Sequence, residues 1–120
     1  MILSDISIKK AIDDKRIIIN PYSEKDVQPA SVDVHLSDTI LIFKNSVAPY
    51  IDLKDEIPDL TEEVKIKKNI PFILHPGEFA LGSTLEKLTL SNDIVSRIEG
   101  KSSLGRLGLL IHSTAGFIDP

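Results

Sequence analysis

Ser31-Val32-Asp33-Val34-His35-Leu36, with Thr39-Ile40-Leu41-Ile42-Phe43 close behind, decides the fold. In the first stretch Val32, Val34 and Leu36 fall on one side of an extended chain, and Ser31, Asp33 and His35 on the other. That period of two is the mark of a β-strand, because successive side chains of a strand point to opposite faces. Thr39 to Phe43 is apolar throughout and suits a strand buried on both faces. The same rhythm recurs on either side. Arg16 to Asn20 carries Ile17, Ile18 and Ile19 and stops at Pro21. Val64 and Ile66 alternate with Lys65 and Lys67. Phe72 to Leu74 runs into the turn signal His75-Pro76-Gly77 and then Phe79 to Leu81. Ile94 to Ile98 and Leu109 to Ile111 complete the set. Many short strands separated by Pro and Gly predict an all-β sandwich or barrel. Only the opening differs: Ser4 is placed to cap a helix, Asp5 suits its first turn, and Ile8, Ala11 and Ile12 share one face.

At 120 residues, with 42% hydrophobic and 27% charged, the chain has the length and mix of one small globular domain. Residues 1–120 are read as that single domain. The formal net charge of −4 argues against wrapping nucleic-acid backbone, which needs a field of Lys and Arg. No apolar run approaches the roughly 20 residues that span a bilayer. No charged-then-apolar leader opens the chain, so no secretory signal is expected. There is no cysteine, which excludes a disulfide framework, a thiol nucleophile and a cysteine-ligated zinc. His35, His75 and His112 are in no ligand spacing. The expected compartment is the cytoplasm.

Lys44 to Glu63 interrupts the strand rhythm with Pro49, Pro58 and the acids Asp52, Asp55, Glu56, Asp59, Glu62 and Glu63. It is read as a solvated surface excursion. At the other end, Gly116-Phe117-Ile118-Asp119-Pro120 has the look of the middle of a motif, so the fold is expected to be C-terminally incomplete.

Three segments have the residues for chemistry. Gly100-Lys101-Ser102-Ser103-Leu104-Gly105-Arg106-Leu107-Gly108 holds three glycines, two hydroxyls and two cations in nine positions. Glycines let backbone amides approach an anion, hydroxyls donate to phosphate oxygens, and Lys and Arg add a point charge and a planar fork. This is either a phosphate cradle or a plain Gly/Ser turn with solvated cations, and it lacks Walker A spacing. His112 to Asp119 runs from a strand through a small-residue bend to an acid. Asp119 either orients a water or sugar hydroxyl, or caps a turn before Pro120. His112 is read as a packed strand residue. In Gln28 to Leu36, Asp33 lies beside Ser31 and His35, and a structural hydrogen-bonding role is favoured for it.

Together these segments resemble the dCTP deaminase family, which is related to the trimeric dUTPases. The resemblance covers nearly the whole chain. Met1-Ile2-Leu3-Ser4-Asp5 before a helix is similar to the family's start, and Gln28 to Leu36 resembles its Pro-Ala-Ser-x-Asp-x-x-Leu stretch. Gly100 to Gly108 and His112 to Pro120 resemble its nucleotide-binding core. The resemblance implies a distorted β-barrel or jelly-roll subunit with a short N-terminal helix, in a homotrimer with active sites between subunits. It implies that Lys101, Ser102, Ser103, Leu104, Gly105 and Arg106 hold the nucleotide phosphates of dCTP or dUTP. Ser102 and Arg106 would also assist the chemistry, and Ala115 would lie where backbone meets the base. Asp119 would sit near the deoxyribose and help direct the water that attacks phosphorus. Magnesium would be bound through the triphosphate, with no protein metal ligands, and deamination would proceed without zinc.

The family's general-base Glu follows the Ile-Asp-Pro segment, after a Gly-aromatic-x-Gly turn. The 120 residues stop at Pro120, and neither Glu86 nor Glu99 matches that motif. The 120 residues alone are therefore expected to be a fragment without deaminase turnover. Gly116-Phe117 after Thr114-Ala115 resembles the branch that carries dCTP through to dUMP and diphosphate. The alternatives are a deaminase that stops at dUTP, a plain dUTPase, and a catalytically silent nucleotide-binding module.

Overall fold

The computed structural model describes residues 1–44, 50–56, 59–112 and 114–120. Pro49, Pro58 and Ser113 lie outside them. The chain is mainly β with one short N-terminal helix. It forms two compact units, Met1–Asp33 with Glu86–Pro120, and Val34–Leu85.

The first unit begins with α1, Asp5–Asp13. Ser4 caps it by accepting a hydrogen bond from the Ser7 amide, and Asp5 stands in the first turn, where the exposed amides favour negative charge. Ile8 and Ala11 are buried, as their spacing predicts. The helix stops because Lys15 turns left-handed at φ 58°. The Lys15 amide then donates to Ile12 and that of Arg16 to Ala11, satisfying carbonyls the helix leaves open.

Strand β1, Ile17–Asn20, follows at once. A single turn at Glu24–Asp26 leads into β2, Val27–Gln28, and β3, Ser31–Val32, which pair as a small hairpin. Strand β1 pairs antiparallel with Lys87–Leu90 from later in this unit, in the register Ile17 to Leu90 and Ile19 to Leu88. Ile17 and Ile19 face inward while Ile18 faces out, so the isoleucine run is a half-buried strand. Ala11, Ile17, Ile19 and Leu90 form the core cluster. Leu3, Ile12, Val32, Leu88, Ile94 and Ile118 pack around it partly buried.

The second unit contains β4, Leu36–Phe43, between β5, Thr61–Lys65, and β6, Ala80–Thr84, all antiparallel. The register on β6 shifts between Leu36 and Ile40, a bulge. Ile40 alone of this strand is buried. The expectation of burial on both faces is thus corrected: three strands satisfy the edges of a central strand but leave its faces to be covered. Phe43 and Phe79 do meet, with ring centroids 5.5 Å apart.

Returning to the first unit, β7 is Lys87–Leu90, β8 is Ser96–Arg97 and β9 is Phe117–Ile118, with β8 and β9 paired antiparallel. A one-turn α2, Ser102–Gly105, lies between them. The strands of both units form four small antiparallel sheets, and none closes into a barrel among the described residues.

Other expectations also need correction. Phe72–Leu74 and Leu109–Ile111 are not strands, and of Ile94–Ile98 only Ser96 and Arg97 are. Ser31–Leu36 breaks after Val32, and Val34 and Leu36 stay exposed. Short apolar runs beside Gly and Pro satisfy a strand pattern without a partner to pair with. Of the predicted excursion, Asp52, Asp55 and Glu56 are exposed, but Glu62 and Glu63 belong to β5.

An ion pair between Arg16 and Asp93 ties the entry of β1 to the turn after β7. Ser91 donates its hydroxyl to the same carboxylate at 2.5 Å, and its amide donates to the Arg16 carbonyl at 2.9 Å. The Ser91 hydroxyl first and Arg16 second hold the Asp93 carboxyl below the usual carboxylate range. A depressed carboxylate stabilises the fold above its unfolded pKa, about 3.9, and that stability is lost as pH falls through the folded value. Asp93→Asn is therefore expected to lower the thermal midpoint at neutral pH. The gap to the unaltered chain should close on acidification below about pH 4. Thermal unfolding of both chains across that range checks it, and an unchanged gap would remove Asp93 as its source.

Candidate functional site

The segment between β8 and β9 is held shut at its base. Ser96 pairs with Ile118 and Arg97 with Phe117, and the Ile98 amide donates to the Gly116 carbonyl at 2.7 Å. Two glycines allow close packing within it. A Cβ on Gly100 would come within 3.0 Å of Ile111 Cγ1 and 3.2 Å of its Cβ, so any larger residue would require Ile111 to give by a few tenths of an ångström. A Cβ on Gly116 would meet His112 Nε2 at 3.2 Å. His112 is half-buried and packed as expected, though not in a strand.

Lys101 precedes α2, and its carbonyl accepts from the Leu104 and Gly105 amides at 3.0 Å. Arg106 donates its amide to the Ser102 carbonyl, also at 3.0 Å. Gly108, at φ +88°, takes the left-handed turn that ends the segment. Lys101, Ser102, Ser103, Leu104, Gly105 and Arg106 thus lie on one tight turn, all exposed. Among the described residues the Ser102 and Ser103 hydroxyls have no hydrogen-bond partner, and the Arg106 guanidinium has no ion pair.

Asp33 reaches this turn from the β2–β3 hairpin. Lys101 Nζ donates to Asp33 Oδ2 at 2.8 Å, and Gln28 Nε2 donates to the same oxygen at 3.3 Å. Two of the three predicted segments are therefore in direct contact. Asp33 makes the structural hydrogen bonds read from its sequence, but its partner lies 68 residues away and left no local signal.

Ala115 is exposed beside Gly116, and Asp119 is exposed just beyond β9. No hydrogen bond or ion pair joins Asp119 to residues 101–106 among the described residues. Arg97 was not foreseen as part of this neighbourhood. Its guanidinium lies 5.8 Å from the centroid of the Phe117 ring, and Nε pairs with Glu99 at 2.8 Å.

Chemically, the turn offers two cations, two hydroxyls and a tight backbone to an anion, on a segment that ends in a carboxylate. The family model described as dCTP deaminase-like matches residues 2–120. The chain belongs to that family.

Three relatives show how far the likeness runs. The chain is 54% identical over 120 residues to a protein of Tropheryma whipplei (strain Twist) named "dCTP deaminase, dUMP-forming", covering 100% of this chain and 61% of the relative. Proteins of the same name from Thermobifida fusca (strain YX) and Corynebacterium kroppenstedtii are each 56% identical over 120 residues, covering 100% of this chain. They are covered to 61% and 64% of their own length. The chain thus spans about three fifths of the curated relatives it matches. Both the turn at 101–106 and Asp119 fall inside the part matched to the dCTP deaminase-like family. No helix among the described residues is long and apolar enough to cross a membrane.

Proposed function

We propose that this chain supplies the nucleotide-holding part of a cytoplasmic, zinc-independent dCTP deaminase that releases dUMP and diphosphate. The observation that carries the reading is the single closed segment that presents the Lys101–Arg106 turn and Asp119 from strands paired at its base. The name carried by relatives at 54–56% identity, dCTP deaminase, dUMP-forming, supports the same choice.

In this reading Lys101 and Arg106 pair with phosphate oxygens, Arg106 through two parallel donors. Ser102 and Ser103 donate hydroxyls to the same group, and the tight backbone through Leu104 and Gly105 keeps these groups together. Ser102 and Arg106 also hold the reacting water and balance developing charge. Backbone at Ala115 meets the base. Water adds at C4 of cytosine and ammonia leaves. A second water, directed by Asp119, attacks the α-phosphorus, and diphosphate is the leaving group. The general-base Glu that the family resemblance puts after Ile118-Asp119-Pro120 is not among these 120 residues.

Magnesium fits this donor set only as a passenger on the triphosphate. Cations and hydroxyls suit phosphate oxygens, and the triphosphate's own oxygens suit a hard divalent cation. Bound there, the metal neutralises phosphate charge. We further propose a homotrimer with sites between subunits, an arrangement that would cover exposed side chains such as Leu36 and Phe117.

Incubation with dCTP and identification of the products tests the reading. The 120-residue chain should bind dCTP without turning it over. A chain extended over the relatives' remaining length should yield dUMP and diphosphate. Accumulation of dUTP without diphosphate would replace the proposal with a deaminase that stops at the first step.

A further inference from the structure

We infer that Asp33, held by Gln28, is the positioning residue for Lys101, so that the hairpin β2–β3 sets where the first phosphate-facing cation stands. The inference rests on the phosphate-holding role proposed for Lys101. The geometry is specific. The Asp33 side chain is 25% exposed and that of Lys101 61%, so the acid is the fixed partner and the amine the mobile one. The fixed end is itself secured. Gln28 donates to Asp33 Oδ2, the oxygen that accepts from Lys101, and the Asp33 amide donates to the Asp26 carbonyl at 2.8 Å. Beneath them, Val32 packs against the core cluster. Anchoring therefore runs from buried apolar side chains, through a two-residue strand, to one carboxylate and then to the ammonium.

An ammonium has three donors, of which Asp33 takes one. Two remain for phosphate oxygens. A free lysine side chain loses rotamer entropy when it is immobilised. Holding it on Asp33 meets that loss before the nucleotide arrives. The opposing effect is repulsion between the Asp33 carboxylate and the triphosphate. The carboxylate is already paired with the Lys101 ammonium at 2.8 Å, so much of its charge is offset before the nucleotide arrives. Positioning is therefore the larger effect, and loss of Asp33 weakens triphosphate binding.

A double-mutant cycle with the full 120-residue chain tests this by calorimetric titration of dCTP and dCMP with magnesium. Asp33→Asn preserves shape and removes the charge. It is expected to weaken dCTP about fivefold, the upper range for an exposed pair, and to leave dCMP nearly unchanged. In a Lys101→Met background the same change should have no further effect. Gln28→Ala should reproduce a smaller part of the loss. Equal weakening of dCTP and dCMP would mark a merely structural role and overturn the inference. Tighter dCTP binding by Asp33→Asn would do the same, as would an effect that persists without Lys101. If the unaltered chain prefers dCTP over dCMP while residues 33 and 101 act independently, the inference falls and the functional reading stands. If the unaltered chain shows no such preference, the functional reading falls and takes the inference with it.

Discussion

Arg106→Ala is expected to weaken dCTP binding about a hundredfold, with dCMP affected far less. Arg106 is the one cation of the 101–106 turn without an ion-pair partner among the described residues, since Lys101 is engaged by Asp33. A guanidinium offers two parallel donors to a phosphate, and a hydrogen bond to a charged group is worth about 1.5–3 kcal/mol. Two such bonds would sum to about 3–6 kcal/mol, roughly a hundredfold to ten-thousandfold if fully realised. Arg106 is exposed, so water competes in the free state and a hundredfold is the defensible figure. Arg106→Lys separates charge from shape. It keeps the cation and loses the fork, and should recover only part of the affinity. Calorimetric titration of the three chains checks the order. If alanine binds dCTP as well as arginine does, the turn is the plain Gly/Ser bend that its composition also permitted, and the phosphates are held elsewhere.

What was legible from the residues alone follows the range over which each interaction acts. Helix α1 was readable because its cap, first-turn acid and buried face all lie within nine residues. The strand at Ile17–Asn20 was readable because Pro21 ends a β-branched run. Its partner at Lys87–Leu90 was missed: Leu88 and Leu90 alternate with charged and polar neighbours, but nothing local points to residues 67 to 73 positions earlier. Leu109–Ile111 carried the strand pattern, yet Ile111 is used to seat Gly100 and not to pair. For the turn at 101–106 composition left a phosphate cradle and a plain Gly/Ser bend open, and for Asp119 a water-orienting and a turn-capping role; the roles proposed for them come from the family resemblance. That Asp33 touches Lys101 could not be read, because only the folded hairpin brings them within 2.8 Å.

Leu90→Ala is expected to destabilise the first unit by about 2–3 kcal/mol, a large share of the roughly 5–15 kcal/mol typical of a domain. Leu90 is 8% exposed, lies opposite Ile17, and shares the core cluster with Ala11 and Ile19. Truncation removes apolar burial and leaves a cavity. The lower half of the usual range applies because no side chain in this core falls below 2% exposure, so neighbours can close in. Ile2→Ala is the matched control, since Ile2 is 84% exposed and its loss should move the thermal midpoint little. The same core also governs the site. Val32 and Ile118 both pack against it, and each immediately precedes an acid of the candidate site, Asp33 and Asp119. Slack at Leu90 should therefore loosen both carboxylates while the Lys101–Arg106 turn, closed by its own hydrogen bonds, keeps its shape. Amide hydrogen exchange on the folded Leu90→Ala chain should then rise at Asp33, whose amide donates to the Asp26 carbonyl, and at Ile118, paired with Ser96 just before Asp119, and stay unchanged at Gly105 and Arg106. A uniform rise would mean that the whole unit opens together and that the core does not place the two acids separately from the turn.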